Sequence, residues 1–218
     1  MTMAVGSDRR TRGVIASIAL LVLIAVVGCA ASTEMTNLWK DPHYKSGLGT
    51  RVLVVAVRKD PVRRRMWEDA FTQELTARGD SATASYQLFP DAAPDTQAVI
   101  GAVSKDGYSA VLVSSRLSPQ TQVTYIPGTL RRAPMTVQDY MGRFHTYWTT
   151  VEEPGYTETD EIHRFQTDLW TTANGGRLIW SGELRTLESL SNKTVSDAVS
   201  KHIMPVLQKQ GLVPPKKS

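Results

Sequence analysis

The hydrophobic rhythm of this chain changes near its middle. Arg51 to Val57, reading RVLVVAV, is a continuous β-branched run of the kind found in a central strand covered on both faces. Asp60 and Pro61 then supply a helix N-cap and a first-turn proline. Met66, Ala70, Phe71 and Leu75 recur at helical spacing until Gly79 closes the segment. Ala82 to Leu88 reads as a short second strand. Asp95 caps a second helix carrying Val99, Ile100 and Val103, which Gly107 ends, and Tyr108 to Ser114 (YSAVLVS) is a third strand. Strand, helix, strand, helix, strand is the alternation of an α/β layer.

Beyond Leu117 the helical spacing disappears. Gln122 to Ile126 and Phe144 to Val151 alternate apolar and polar residues with no room for a helix between them, the pattern of antiparallel strands. Pro127, Gly128 and Pro134 make Pro127 to Gly142 a long loop, read as mobile. Ile162 to Thr172 and Arg177 to Leu187 flank Asn174-Gly175-Gly176, residues that tolerate the positive φ of a tight hairpin turn. In the second arm, LIWSGEL, Leu178 and Trp180 share one face, and Ile179 and Ser181 the other. A helix from about Thr194 places Val195, Ala198, Val199, Ile203 and Val206 on one side, with Pro205 expected to kink it or end its regular part and the tail after Gly211 to fray. The expected fold is α/β (α+β), a strand-helix-strand-helix-strand half followed by antiparallel strands and a C-terminal helix on one mixed sheet.

The first residues follow a different logic. Arg9, Arg10 and Arg12 precede the apolar or small residues Val14 to Val27, the charged-then-greasy layout of a secretory signal. That core falls short of the about 20 residues a bilayer span requires. Gly28 stands directly before Cys29, the one cysteine of the chain. This resembles the lipobox of bacterial lipoproteins, which implies acylation of Cys29 and removal of residues 1–28. An uncleaved anchor and a secretory peptide cut elsewhere are the alternatives. Ala30 is not the aspartate associated with inner-membrane retention, so the resemblance implies an outer-membrane anchor facing the periplasm. The expected organisation is signal 1–28, lipidated N-terminus and extended tether 29–49, one globular domain 50–213 and a tail 214–218, with Trp39 folding back onto the domain.

Taking Asp8, Arg9, Arg10 and Arg12 from the 25 basic and 21 acidic residues leaves 22 and 20, so the remainder is close to neutral at +2. Arg63-Arg64-Arg65 is the dense basic cluster, but Glu68 and Asp69 adjoin it, and it reads as a solvated helix face rather than a nucleic-acid stripe. No nucleic-acid partner is expected. With Cys29 acylated no thiol remains for a disulfide, and the apolar core must hold the fold.

Residues that would carry chemistry are sparse. No G-x-S-x-G turn occurs. His43, His145, His163 and His202 stand in separate elements without metal-ligand spacing. Arg58-Lys59-Asp60-Pro61 lacks the glycines that let a backbone cradle phosphate. Glu152, Glu153, Glu158, Asp160 and Glu161 surround Pro154-Gly155-Tyr156 without calcium-loop spacing, and read as a charged connection guarding sheet edges. No catalytic, metal or cofactor residue is assigned. Candidate partner contacts are Tyr125, Arg131, Arg132, Tyr140 and Trp148, with Phe144 and Tyr147 beside them, although alternation sends about half of such aromatics into a core.

With the lipobox, RVLVVAV, YSAVLVS, the Trp180-Ser181 pair of LIWSGEL and the closing helix in place, the chain from Asn37 to Val213 resembles a family of bacterial outer-membrane lipoproteins of unknown function. Its strand order is also distantly similar to lipoproteins that activate penicillin-binding proteins and to the curli-secretion lipoprotein. The resemblance implies a non-catalytic module, anchored through lipid on Cys29, that binds another envelope protein or a peptidoglycan-related component through a sheet edge or long loops. An envelope hydrolase using Glu152 or Glu153 with His145 or His163 is the alternative, and it requires those groups to converge in a pocket.

Overall fold

In a computed structural model of the protein, the structure describes residues 33–45, 47–49, 51–187 and 191–216. Cys29 and the signal segment lie outside them. Residues 33–218 form one compact unit. Its main sheet runs β1 (Thr33–Lys40), β9 (Arg177–Thr186), β8 (Tyr156–Thr171), β4 (Ala110–Arg116), β2 (Arg51–Val57), β3 (Ser81–Ala84), in that spatial order. β2 pairs in parallel with both β3 and β4, and the remaining pairs are antiparallel, so the sheet is mixed as the pattern requires.

The helices divide between the two faces. α1 (Pro61–Arg78) is capped by Asp60, whose side chain accepts from the amides of Val62 and Arg63, and Gly79 closes it at φ 98. Its Trp67, Phe71 and Leu75 pack with Val52, Val54 and Leu112, and with Ile203 and Leu207 of the C-terminal helical segment, into the larger core. α2 (Thr96–Asp106) lies on the other face, where Val99 and Val103 meet Leu53, Val55 and Val111. With α1 and α2 on opposite faces, the chain passes from β2 to β3 on one side and returns past β2 to β4 on the other.

Several expectations are corrected. The tether expected to end at residue 49 joins the sheet over Thr33–Lys40, which pairs with β9 as an edge strand. Its polar sequence hides it, because an edge strand buries little, and a bulge between Thr36 and Trp39 with Asn37 at φ 50 breaks the alternation. Trp39 is half exposed on that edge. The second strand stops at Ala84, where Ser85–Gln87 turns as a 3₁₀ segment. Alternation fails in β9 because the register shifts between Leu169 and Trp170, so that Ile179 and Trp180 are both fully buried. At Pro205 the regular helix is interrupted, in line with the expectation, by a π-helical turn, Ala198–Ile203, between α3 (Asn192–Asp197) and α4 (Met204–Lys209). Leu212 and Val213, expected to fray, instead join the core, and the Leu212 carbonyl accepts from the Leu48 amide.

The cluster read as a solvated face is half buried. Arg63 and Arg65 are exposed, but Arg64 is 3% exposed and Glu68 0%. The Glu68 carboxylate accepts from Arg64 Nε at 3.0 Å, the Ala56 amide at 3.0 Å, Ser85 Oγ at 2.7 Å and the Tyr86 amide at 2.8 Å. It ties β2, α1 and the 3₁₀ segment together and ends β3 where it does.

Candidate functional site

The antiparallel half contains one long hairpin. β4 pairs with the C-terminal half of β8, and β5 (Gln120–Ile126) with its N-terminal half. Between them Arg116 faces Phe165 and Gln120 faces Ile162, so the outgoing strand carries one extra residue, a bulge. Beyond Ile126, facing Tyr156, pairing resumes without a shift, as β6 (Thr129–Gln138) meets β7 (Phe144–Glu153) from Thr129 opposite Glu153 to Gln138 opposite Phe144. The expected loop at Pro127 to Gly142 is therefore mostly strand. Pro134, a loop signal in sequence, is tolerated opposite Trp148 because each strand of a two-stranded ribbon has a free edge that needs no donor.

The interruption between the two halves of this arm is symmetric. By register Pro127 faces Gly155 and Gly128 faces Pro154. A side chain at Gly128 would lie 2.5 Å from the Glu153 carbonyl oxygen, and one at Gly155 would lie 2.9 Å from the Gly128 amide nitrogen. Both glycines are there for close backbone approach. From Gln120 to the tip at Tyr140 the contour is roughly 65 Å.

Asp139 organises the tip. Its carboxylate accepts from the Met141 and Arg143 amides, each at 2.9 Å, and lies within hydrogen-bond distance of Arg143 Nε at 2.9 Å and His145 Nε2 at 3.0 Å. The His145 contact foremost, then the Arg143 amide, holds the carboxyl below its ordinary range. Tyr140 is 95% exposed at the apex. All five candidate contacts lie on the arm, with Tyr125 on β5, Arg131 and Arg132 on β6, Tyr140 at the tip and Trp148 on β7. Register places Arg132, Pro134, Trp148 and Phe144 on one face of the ribbon, and Arg131, Met135 and Tyr147 on the other. Arg131 is ion-paired with Glu153 across the strands. The five therefore share an element without sharing a face. The expectation that half the aromatics are buried fails, since Tyr125, Tyr140, Phe144, Tyr147 and Trp148 are all exposed. Among the described residues neither face of the distal ribbon has a core behind it.

The histidines and carboxylates of the hydrolase reading do not meet in a pocket. His145 contacts Asp139 at the exposed tip, His163 contacts Glu161 on β8 at 3.4 Å, and His43 contacts Asp41 at 3.5 Å. Glu153 is engaged by Arg131, and Glu152 lies opposite Leu130. Among the described residues no group of three metal-ligating side chains is placed to hold an ion.

Hollows between the described residues lie elsewhere. One, about 590 Å³, is an apolar groove under α2, lined by Val55, Val99, Val103, Val111, Val113 and Trp170. The other, about 930 Å³, opens where β2 and β4 end, and its wall includes Arg58, Lys59, Arg63, Arg116, Trp67 and Phe165. Sequence reasoning dismissed the Arg58 turn for want of glycines and could not bring Arg116 to it.

No protein-family model matches the chain, and no curated protein matches it. Solved structures resemble it weakly. PelC from Paraburkholderia phytofirmans, described as a dodecamer, has 11% identity and a TM-score of 0.43, the match covering 79% of this chain and 96% of that one. Lipoprotein GNA1162 from Neisseria meningitidis has 14% identity and a TM-score of 0.37 over 73% of this chain and 99% of that one. A PDZ domain protein from Parabacteroides distasonis has 9% identity and a TM-score of 0.41 over 88% of this chain and 39% of that one. Likenesses this weak supply no argument about site, partner or assembly. Among the described residues no helix is long and apolar enough to cross a membrane.

Proposed function

We propose that this protein is a non-catalytic binding module of the bacterial cell envelope, anchored in the outer membrane through lipid on Cys29, facing the periplasm, and that the arm from β5 to β8 meets its partner. One observation carries the reading: the distal ribbon, paired only strand to strand, holds Phe144, Tyr147, Trp148 and Leu130 in solvent, with Tyr140 at its apex. A two-stranded ribbon is marginal in water by itself. Large apolar side chains exposed at this density mark an interaction surface, and aromatic and arginine residues supply most of the energy at interface centres.

The occupant is another envelope protein that offers a strand or a groove, since β6 and β7 each present a free edge for main-chain pairing while the aromatics fill pockets. The anchor supports this use. An acyl chain contributes about 0.8 kcal/mol per buried CH₂, so several chains hold the module at the membrane, and tethering raises the effective concentration toward partners there.

The test is to express the full chain and Cys29→Ser in a Gram-negative host, with a photo-crosslinking residue at Tyr140, Trp148 or, as control, Lys209. Membrane fractionation with an acylated intact mass for the parent, an unmodified mass for Cys29→Ser, and one envelope protein captured from Tyr140 and Trp148 are expected. Unmodified soluble protein in both forms overturns the anchor, and arm positions that capture no more than Lys209 overturn the contact assignment.

A further inference from the structure

The cleft at the ends of β2 and β4 stands apart from the arm reading and rests on its own geometry. In open α/β sheets ligands bind outside the carboxyl ends of the strands, at the point where the chain's winding reverses. Here the strand order β3-β2-β4, with α1 and α2 on opposite faces, puts that point between β2 and β4. The cleft lies there, walled by Val57 to Asp60 at the end of β2, by Arg116 to Ser118 at the end of β4, and by Arg63 and Trp67 of α1.

Its charge is unbalanced. Arg58, Lys59, Arg63 and Arg116 face Asp60 and Asp91. Asp60 is occupied in capping α1 and lies 3.5 Å from Arg63 Nε. Arg58 sits with its guanidinium carbon 5.3 Å from the Trp67 ring and 5.4 Å from the Phe165 ring, and donates to the carbonyls of Val57 and Ser114 and to Ser114 Oγ. These acceptors are all neutral. They fix the plane of the guanidinium without cancelling its charge, and the exposed Arg116 adds a second cation beside it. Burial first, and Arg116 second, bring Arg58 down to about 10. Two cations, one of them half-buried against Trp67 and Phe165, are held together at a cost that a bound anion would remove.

We propose that this cleft binds an oxyanion group, a carboxylate or a phosphate, carried by a small organic ligand, with Arg58 and Arg116 as its charged donors. The chemistry is that of a guanidinium site, whose planar donors match oxyanion geometry. It does not need the glycine-rich backbone cradle that this turn lacks.

Calorimetric titration of the full chain in detergent micelles with phenyl phosphate, benzoate and the neutral benzamide tests this. Saturable binding of phenyl phosphate or benzoate, and not of benzamide, is expected, and the tighter of the two identifies the oxyanion. Arg116 is exposed, so Arg116→Gln leaves the core intact and should weaken binding about tenfold or more, as loss of a hydrogen bond to a charged group does. Arg58→Gln should abolish it, while Lys209→Gln, the same charge change away from the cleft, should leave it unaltered. Equal binding of benzamide, an unaffected Arg116→Gln, or no saturable binding of either anion at about 1 mM, a free energy near 4 kcal/mol, would overturn the proposal.

Discussion

Replacing Glu68 by alanine removes the most connected side chain of the interior. Its carboxylate satisfies the Arg64 guanidinium, two backbone amides and the Ser85 hydroxyl, at 2.7 to 3.0 Å. In Glu68→Ala the Arg64 charge stays buried with Ser85 Oγ and the Phe89 carbonyl as its neutral partners. Breaking a buried pair from one side costs about 3–5 kcal/mol, because the stranded charge keeps its desolvation penalty. For a domain of this size each kcal/mol lowers Tm by about 2–4 °C, so thermal unfolding should fall by at least about 6 °C. Glu68→Leu combined with Arg64→Met removes both charges and should recover part of the loss, the desolvation penalty of the stranded guanidinium, while the Ala56 and Tyr86 amides remain without their acceptor. Urea unfolding followed by circular dichroism on the single and double variants measures this directly. A Glu68→Ala loss below about 1 kcal/mol, or a double variant as weak as the single, would refute the buried-pair reasoning.

Two further outcomes follow from β9. A side chain at Gly182 would lie 2.6 Å from the Trp180 ring, which is fully buried, so Gly182→Ala should cost about 1–3 kcal/mol and alter the near-ultraviolet circular dichroism of the tryptophan. Arg164, bonded to Glu183 at 2.5 and 3.0 Å, is the foremost cause holding that carboxyl below its ordinary range, against the opposing effect of burial and with help from Asn37. Because the folded value lies below the unfolded one, the stabilisation is complete above the unfolded glutamate pKa of about 4.3 and is lost as pH falls through the folded value. Urea midpoints measured below that pH should therefore drop more steeply for the parent than for Glu183→Gln, and equal slopes would exclude the linkage.

Local signals made the α/β half legible. RVLVVAV could only be a covered strand, and Asp60, Pro61 and Gly79 bracket α1 as capping chemistry predicts. The Asn174-Gly175-Gly176 turn joins β8 to β9 where expected. What stayed hidden is non-local or defies alternation. β1 is a polar edge strand broken by a bulge. β6 carries Pro134 and lies next to Pro127-Gly128, so its strand character emerges only from pairing with β7. The arm contacts were found by residue type, but their exposure on both faces arises because, among the described residues, no layer packs behind the ribbon. Glu68 read as solvated because charge in a helix is usually outside, and the cleft unites Arg58 with Arg116, which only parallel pairing of β2 and β4 brings together.

The paired Pro-Gly steps in the arm also have a mechanical meaning. At the level of residues 127–128 and 154–155 neither chain is in strand conformation, and Pro127 and Pro154 have no amide hydrogen to stiffen it, yet the count of residues on the two sides is equal. A bend there does not require one strand to slide past the other. The outer ribbon and the inner half of the arm therefore keep one common register across this waist, although no strand pairing runs through it.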